Sequence, residues 1–271
     1  MRKKVNQKRV RQLLDKFLWL MAMLSIAALL WVSVNTHLNR NINQLYVEIE
    51  NLEGSRNLIS KEMAEMRIEQ FFGTDIQEVK FAKIDSRKLE EALLKDSRIE
   101  QTEVYVDGNN ILHVSIKQRS PVIRIMAENG EDYYLDKYGE RIETVKNSAV
   151  RVPIASGYID KYISNWREMS AHKIHDILAI AKELPKDEFL QALIEQIYVE
   201  KDGAITLIPK VGKQQLILGS SDKLNLKLRN IKLTYKSIVR IKGFDKYERF
   251  IYEYTNQIIG DNGNNSKVIS S

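Results

Sequence analysis

The sequence predicts an α+β protein that is attached to a membrane by one N-terminal transmembrane helix. Three observations indicate this fold class: a long uncharged stretch near the N-terminus, a strand-helix-helix-strand-strand pattern after it, and a longer region in which alternating strands and amphipathic helices predict a mixed β-rich domain with packed helices. The predicted segments are a basic segment at 1–16, the transmembrane helix at 17–34, a connector at 35–44, a first domain at 45–119, a β domain at 120–260 and a disordered tail at 261–271.

The uncharged stretch at 17–34 reads FLWLMAMLSIAALLWVSV. At about 1.5 Å per helical residue it spans about 27 Å, close to the hydrocarbon thickness of a bilayer. Trp19 and Trp31 stand towards its two ends, where amphipathic rings favour the membrane interface, and we expect them to anchor the helix. Two alternatives remain. A signal peptide cleaved near 25–27 would leave the apolar run LLWVSV on the new N-terminus, and a buried core helix would show a polar face that this stretch lacks.

Charge is distributed very unevenly along the chain. The first 40 residues hold eight Lys or Arg and one Asp, a net charge of +7, so the remainder of this +6 protein carries a net charge of −1. Basic residues favour the cytoplasmic side of a transmembrane helix, so we expect the N-terminus in the cytoplasm and more than two hundred residues outside. Contact with anionic lipid explains the basic segment, and the nearly neutral remainder argues against nucleic-acid binding.

The first domain is predicted from a short run of clear patterns. Alternating apolar and polar residues at 45–52 predict a strand, and amphipathic helices are expected at 60–73 and 85–95. Strands at 99–106 and 111–116 flank Asp107-Gly108-Asn109-Asn110, a sequence typical of a hairpin turn. The expected order is therefore β-α-α-β-β, and His113 is interpreted as an ordinary strand residue.

The β domain is predicted to begin near Pro121, because a residue without an N–H group suits the end of one sheet and the start of the next. Strands at 122–126 and 132–135 are expected to form a hairpin. The rest of the domain is predicted to contain helices at 166–184, 187–193 and 223–239, a meander of strands at 194–200, 204–209 and 214–218, and a final strand at 247–259.

Residue types that carry chemistry are sparse in this chain. It has no cysteine and only four histidines, and it contains no nucleophile, phosphate-binding or paired-acid motif. His172 and His175 are spaced i, i+3, which suits a shared metal, but no acidic cluster stands beside them, and we interpret them as part of an exposed helix face. We therefore expect no catalytic residues, metal ligands, cofactor or small-molecule substrate.

Three short motifs narrow the interpretation. The β-α-α-β-β order just beyond a single membrane span resembles a POTRA domain. Residues 117–122 (KQRSPV) resemble an E-R-x-P-V junction, 134–139 (YLDKYG) resemble a Y-L-(I)-D-x-x-G hairpin, and 152–157 (VPIASG) resemble L-P-x-x-x-G. In this order the motifs resemble the FtsQ/DivIB family of bacterial cell-division proteins over nearly the whole chain, with departures at Gln118 and Val152.

This resemblance implies a non-enzymatic scaffold of the division machinery, or divisome. It implies a single-pass type II protein of the bacterial inner membrane, located at the division septum, which binds FtsB- and FtsL-like single-span proteins and other divisome components. The alternative is a POTRA-type assembly or translocation factor that chaperones envelope proteins. Members of that class carry repeated POTRA modules ahead of a membrane barrel, whereas one such module is recognised here.

The candidate binding site is the final strand. If this strand lies at the edge of its sheet, its free N–H and C=O groups can pair with a strand of another protein. The resemblance places the family's aromatic position at Tyr254, and the alternative is that the tyrosines only pack the sheet. We predict that Tyr254→Lys, or a proline at Asn256, abolishes partner capture and leaves the fold intact. The predicted partner-binding residues are Phe250, Tyr252, Tyr254, Thr255, Asn256 and Gln257.

Overall fold

The computed structural model divides the chain into two compact units. It describes residues 2–52, 57–145, 149–239, 243, 246–254, 257–263 and 266–269. The smaller unit comprises Met1–Ile49, Lys61–Lys95 and Thr102–Ile116, and the larger unit comprises Glu50–Ser60, Asp96–Gln101 and Lys117–Ser271.

A single long helix, α1, runs over Arg2–Leu38. It contains Arg11–Thr36, a stretch of 26 residues whose length and composition are sufficient to cross a membrane. The predicted span at 17–34 lies inside this helix. The connector, however, begins later than predicted, because no Gly or Pro follows Val34 and the helix continues to Leu38. Just beyond it, the Asn39 side-chain amide donates to the Asn35 carbonyl at 2.9 Å.

The predicted β-α-α-β-β order is present. The elements are β1 Gln44–Glu50, α2 Lys61–Phe72, α3 Ser86–Leu93, β2 Ile99–Val106 and β3 Ile111–Gln118, and the strands form a sheet in the order β1-β3-β2. Local signals set these bounds. The Asp85 carboxylate caps α3 by accepting the N–H of Lys88, and Asp107 accepts the N–H groups of Asn109 and Ile111 within the hairpin turn.

The larger unit is built on one ten-stranded sheet among its described residues. Its order is β13-β12-β11-β10-β9-β8-β7-β4-β5-β6. The pairs β4/β7, β7/β8 and β10/β11 are parallel, and the other pairs are antiparallel. The strands are β4 Pro121–Ala127, β5 Asp132–Asp136, β6 Arg141–Glu143, β7 Ile154–Gly157, β8 Ile194–Val199, β9 Ile205–Pro209, β10 Gln215–Gly219, β11 Arg249–Ile251, β12 Ile258–Asp261 and β13 Ser266–Ile269.

Three helices cover one face of this sheet: α4 Ile174–Glu183, α5 Glu188–Leu193 and α6 Leu224–Thr234, which continues as a π-helical turn over Tyr235–Val239. Their apolar side chains share one buried cluster with the strands. Examples from helices and strands are Ile177, Ile180, Leu190, Ile231, Ile125, Leu135, Ile197, Leu207 and Leu216. This cluster is the main hydrophobic core of the unit.

The predicted helix at 166–184 begins later than expected. Trp166 lies in a short 3-10 turn, Trp166–Glu168, and the α-helix starts at Ile174. The start is fixed by His172, whose Nδ1 accepts the N–H of Ile174 at 3.3 Å. His172 is 4% exposed, so its predicted place on an exposed helix face is wrong.

The C-terminal strands also differ from the prediction. The final strand, expected to be continuous over 247–259, is two strands, β11 and β12, which pair antiparallel with each other and therefore require a reversal between them. The tail at 261–271 was predicted to be disordered, but Ser266–Ile269 forms β13 on β12. Main-chain pairing with β12, which places Val268 opposite Ile259, stabilises this strand, although the polar composition of the tail did not indicate a strand.

Strand β7 was not predicted, although its residues belong to the third motif. It lies between β4 and β8 and is parallel to both. Gly157 ends it with φ +93°, and a Cβ atom at this position would lie 2.2 Å from the backbone oxygen of Val199. Only glycine allows the two strands to approach so closely.

The first two motifs meet at Asp136. Its carboxylate accepts the N–H groups of Tyr138 and Glu140 at 2.8 Å each, and it pairs with Arg119 at 2.7 Å. Gly139 completes the turn with φ +79°, and a Cβ atom there would lie 2.4 Å from the Trp166 ring. These motif residues therefore hold the turn between β5 and β6 in place.

Gln118, where the sequence departs from the E-R-x-P-V pattern, makes three hydrogen bonds to backbone groups. Its Oε1 accepts the N–H groups of Leu58 and Ile59 at 2.7 and 2.9 Å, and its Nε2 donates to the Glu50 carbonyl at 2.9 Å. The side chain is 2% exposed. A neutral amide satisfies all three backbone groups, whereas a carboxylate at the same position accepts but cannot donate.

Candidate protein-binding site

The described residues of the predicted binding strand are not equivalent. Phe250 and Tyr252 are each 1% exposed and belong to the main core, so their side chains pack the sheet. Burial raises the pKa of the Tyr252 hydroxyl well above its usual value, which keeps this hydroxyl neutral. Tyr254 is 51% exposed and Gln257 is half-buried. Thr255 and Asn256 lie outside the described residues.

The edge of the sheet is not where the sequence suggested. Strand β11, which carries Phe250, pairs with β10 on one side and with β12 on the other. Within the part of the chain that the structure describes, the end strand of the sheet is β13, paired with β12 through the Ile259 and Val268 positions. The backbone groups on the outer side of β13 therefore provide the C-terminal edge at which a foreign strand can pair.

A row of aliphatic side chains leads to this edge on the face opposite the helices. Neighbouring strands place Ile217 opposite Ile251, Ile251 opposite Ile259, and Ile259 opposite Val268. Paired residues on adjacent strands share one face of a sheet. The three isoleucines are half-buried, and Val268 is 64% exposed. We call these four residues the aliphatic stripe.

Charged residues border the stripe. On the same face, one row away, Arg249 pairs with Asp261 at 2.7 Å, and these two residues stand opposite each other on β11 and β12. The Asp261 carboxylate also accepts the N–H of Gly263 at 3.0 Å. This arrangement gives an apolar centre with a polar border, which is typical of protein-protein contact surfaces.

The sequence contains a signal for the stripe that the prediction missed. In LIL at 216–218, RFI at 249–251 and II at 258–259, apolar residues stand at successive positions, so both faces of each strand are apolar. Such a strand needs a cover on both faces. The prediction assigned importance to aromatic residues instead, and two of these are core residues.

The two histidines considered for a metal site, His172 and His175, both lie in the larger unit. Among the described residues, no group of three or more His, Asp or Glu side chains is placed to hold a metal ion. His172 is buried beside the Lys161 carbonyl, with Nε2 at 3.2 Å from its oxygen. The ring of His175 packs edge-on against Trp166 at 4.8 Å between centroids. Both histidines thus have structural neighbours.

The predicted membrane anchors lie on α1. Trp19 and Trp31 are both 75% exposed. Twelve residues of helix separate them, which corresponds to about 18 Å along the axis. This separation is shorter than a hydrocarbon layer of about 30 Å, so the two rings reach opposite interfaces only if the two side chains extend towards opposite ends of the helix. The anchoring role of Trp19 and Trp31 therefore stays a prediction.

Comparison with known proteins supports the resemblance found from the motifs. A family model described as FtsQ/DivIB, C-terminal related, matches residues 120–261. The match covers just over half of the 271 residues and includes β4 to β12. No curated protein matches the chain. Because the family match spans the sheet, its covering helices and most of the C-terminal strands, the chain belongs to the FtsQ/DivIB C-terminal-related family, is a membrane-anchored protein and has a role in cell division.

Proposed function

We propose that this chain is a non-enzymatic scaffold of the divisome that binds FtsB- and FtsL-like single-span proteins, together with other divisome components, during septum formation. Helix α1 crosses the inner membrane once, with the N-terminus in the cytoplasm and the residues that follow α1 outside, and the protein acts at the division septum. Membership of the FtsQ/DivIB family supports the division role, and the basic residues ahead of 17–34 support the orientation.

The observation that carries the binding proposal is the coincidence of an edge strand and an apolar surface. A partner strand pairs with the outer side of β13, and apolar side chains of the partner cover the aliphatic stripe. Completing the burial of a half-exposed aliphatic side chain contributes roughly 1 kcal/mol. Main-chain pairing alone lacks specificity, so the stripe selects a partner whose strand is followed or preceded by apolar residues.

The six residues expected to bind partners fit this proposal in different ways. Tyr254 is exposed after β11 and contacts the partner directly. Phe250 and Tyr252 act indirectly, because their burial fixes the position of β11 within the sheet. Gln257 immediately precedes β12, and we assign Thr255, Asn256 and Gln257 contacts at the end of the partner strand.

The test compares two single substitutions on the same face at opposite ends of the sheet. Val268→Lys places a charge in the aliphatic stripe, and Met126→Lys, at a residue that is 43% exposed on β4, is the matched control. Tagged full-length chains are recovered from native membranes, and bound single-span division proteins are quantified by mass spectrometry. We expect Val268→Lys to reduce their recovery at least fivefold and Met126→Lys to leave it unchanged.

Two results would contradict the proposal. Equal recovery with Val268→Lys and the unmodified chain would show that the stripe does not bind these partners. Recovery of outer-membrane assembly components in place of division proteins would favour the envelope-assembly alternative. Removing 247–271 is unsuitable as a test, because it deletes β11 and β12 together with the core residues Phe250 and Ile258.

A further inference from the structure

The solvent face of the three-stranded sheet carries a row of aromatic rings in the smaller unit. Tyr46 lies on β1, His113 on β3 and Tyr105 on β2. The His113 ring lies 4.8 Å from the Tyr105 ring and nearly parallel to it, at 4°, and its centroid is 5.5 Å from that of Tyr46. Tyr46 and Tyr105 are 47% and 49% exposed. We call these three residues the aromatic row.

The aromatic row contributes little to the hydrophobic core. Its neighbours along the strands, Val47, Val104, Leu112 and Val114, are all buried, so the alternation of each strand directs the core residues to one face and the rings to the other. The central ring is held in place, because His113 Nε2 lies 3.3 Å from Asp107 Oδ2 in the hairpin turn. The row is therefore an ordered, exposed surface.

Acidic residues flank the rings. Glu48 follows Tyr46 by two positions and Glu103 precedes Tyr105 by two, so both share the face of the aromatic row, and both are exposed. The smaller unit's portions of the three strands, residues 44–49, 102–106 and 111–116, contain no Lys or Arg. This face thus combines aromatic rings with negative charge, and Lys117, which lies four positions beyond His113 on the same face of β3, is itself paired with Glu100 at 4.0 Å.

We propose that this face binds a Lys- or Arg-bearing segment of a partner protein. A guanidinium or ammonium group stacks over an exposed tyrosine ring, and the neighbouring carboxylates of Glu48 and Glu103 pair with the same or an adjacent basic side chain. The carboxylates repel anionic lipid headgroups and nucleic acid, which leaves a basic peptide as the complementary partner. The site lies in a different unit from the aliphatic stripe, so it does not rest on the function proposed above.

The probe is a synthetic 12-residue peptide of alternating arginine and serine, and its control has citrulline in place of every arginine. The full chain is embedded in nanodiscs of zwitterionic phosphatidylcholine, so that the bilayer does not capture the peptide. Binding is measured by isothermal titration calorimetry at low salt and again at about 0.3 M salt. We expect the arginine peptide to bind, the citrulline peptide to bind at least tenfold more weakly, and affinity to fall as salt screens the ion pairs.

Matched variants locate the binding on the chain. Glu48→Gln with Glu103→Gln is expected to weaken binding about tenfold, and Tyr105→Leu about fivefold, whereas Tyr105→Phe retains it. Glu69→Gln with Glu91→Gln removes the same charge from exposed positions at helices α2 and α3 and is expected to change the affinity less than twofold. Circular dichroism of each variant confirms that the fold is retained.

Three outcomes would overturn the proposal. The first is that the Glu48→Gln, Glu103→Gln variant binds the arginine peptide as tightly as the unmodified chain does. The second is that the Glu69→Gln, Glu91→Gln control loses as much affinity as that variant, which would attribute the effect to net charge alone. The third is that the citrulline peptide binds as tightly as the arginine peptide.

Discussion

The two ends of the ten-stranded sheet differ in how their apolar faces are covered. At the end formed by β4, β5 and β6, the helices cover one face, and a second cluster of Leu58, Tyr134, Ile142 and Val150 covers much of the other, on which Met126 stays exposed. The Tyr134 hydroxyl accepts the N–H of Val150 at 3.2 Å, which fixes this cover in place. At the end formed by β10 to β13, the helices cover one face, and the aliphatic stripe lies outside both clusters.

This difference separates stability from binding within one sheet. Apolar residues covered by the chain itself contribute to folding, whereas apolar residues left partly exposed become available to a partner. The family-like motifs lie at the covered end, in the Asp136 turn and in β7, and they maintain the architecture. The stripe lies at the open end and carries the proposed function.

The largest expected effect concerns Gly157 in strand β7, which lies between the two ends of the sheet. Gly157→Ala places a Cβ atom 2.2 Å from the Val199 oxygen and demands φ +93° of a residue that disfavours it. We expect a loss of about 4 kcal/mol in unfolding free energy, measured by urea denaturation of the full chain in detergent. Gly130→Ala, also at positive φ but with open space around the added atom, is expected to lose about 1 kcal/mol. Equal losses would show that strain at φ, and not strand approach, decides the result.

The next prediction compares the same type of substitution at the two ends of the sheet. Ile142 is fully buried in the second cluster, and Ile142→Ala is expected to destabilise the protein by about 3 kcal/mol. Ile259→Ala in the stripe is expected to destabilise it by less than about 1 kcal/mol and to weaken partner capture several-fold. Thermal unfolding and the pull-down assay measure the two properties. A large stability loss from Ile259→Ala with no loss of capture would remove the distinction between the two ends.

A smaller effect is expected at the Asp136 turn. Asp136→Asn removes a buried ion pair and leaves Arg119 without its carboxylate, so we expect a loss of about 2 kcal/mol. Asp132 pairs with Arg124 at 2.7 Å in a more exposed setting, and Asp132→Asn is expected to lose less than about 0.5 kcal/mol. Urea denaturation of both variants gives the comparison, which fails if the exposed pair contributes as much as the buried one.

The smallest effect is a pH dependence at helix α4. Burial raises the pKa of Asp176, but the hydrogen bond from Ser221 and the charge of Lys173 outweigh it, and the net pKa lies below the usual value. A lowered folded-state pKa stabilises the protein above about pH 4, and this contribution is lost as pH falls through the folded value. Asp176→Asn is expected to flatten the acid limb of the stability curve slightly, as acid titration monitored by circular dichroism will show. An unchanged stability curve would show that Asp176 does not contribute to the pH dependence of stability.

Periodicity was sufficient to predict the elements of the smaller unit and the meander of β8 to β10, because their patterns are local. The cap at Asp85 and the turn at Asp107 act within a few residues and are visible in the sequence. Strand β7 was not predicted, because four residues give too short a pattern, and parallel pairing to distant strands defines it.

The candidate site was predicted only in part for a related reason. Attention to aromatic residues identified the exposed Tyr254 but also the core residues Phe250 and Tyr252, since a tyrosine looks the same in sequence whichever face it occupies. The edge depends on pairing between Ser266–Ile269 and β12, a tertiary contact that a polar tail does not reveal. The aliphatic stripe can be recognised only when the pairing register of its four strands is known.

Gln118 has a consequence for where such a protein can work. Hydrogen bonds made by an acidic side chain change when the surrounding pH falls through the pKa of that side chain. The side chain that joins Leu58, Ile59 and Glu50 carries no titratable proton, so its three hydrogen bonds hold the same strength from acid to alkaline conditions. Because Gln118 is a neutral amide, the hydrogen bonds that join these three residues do not depend on the pH of the surroundings.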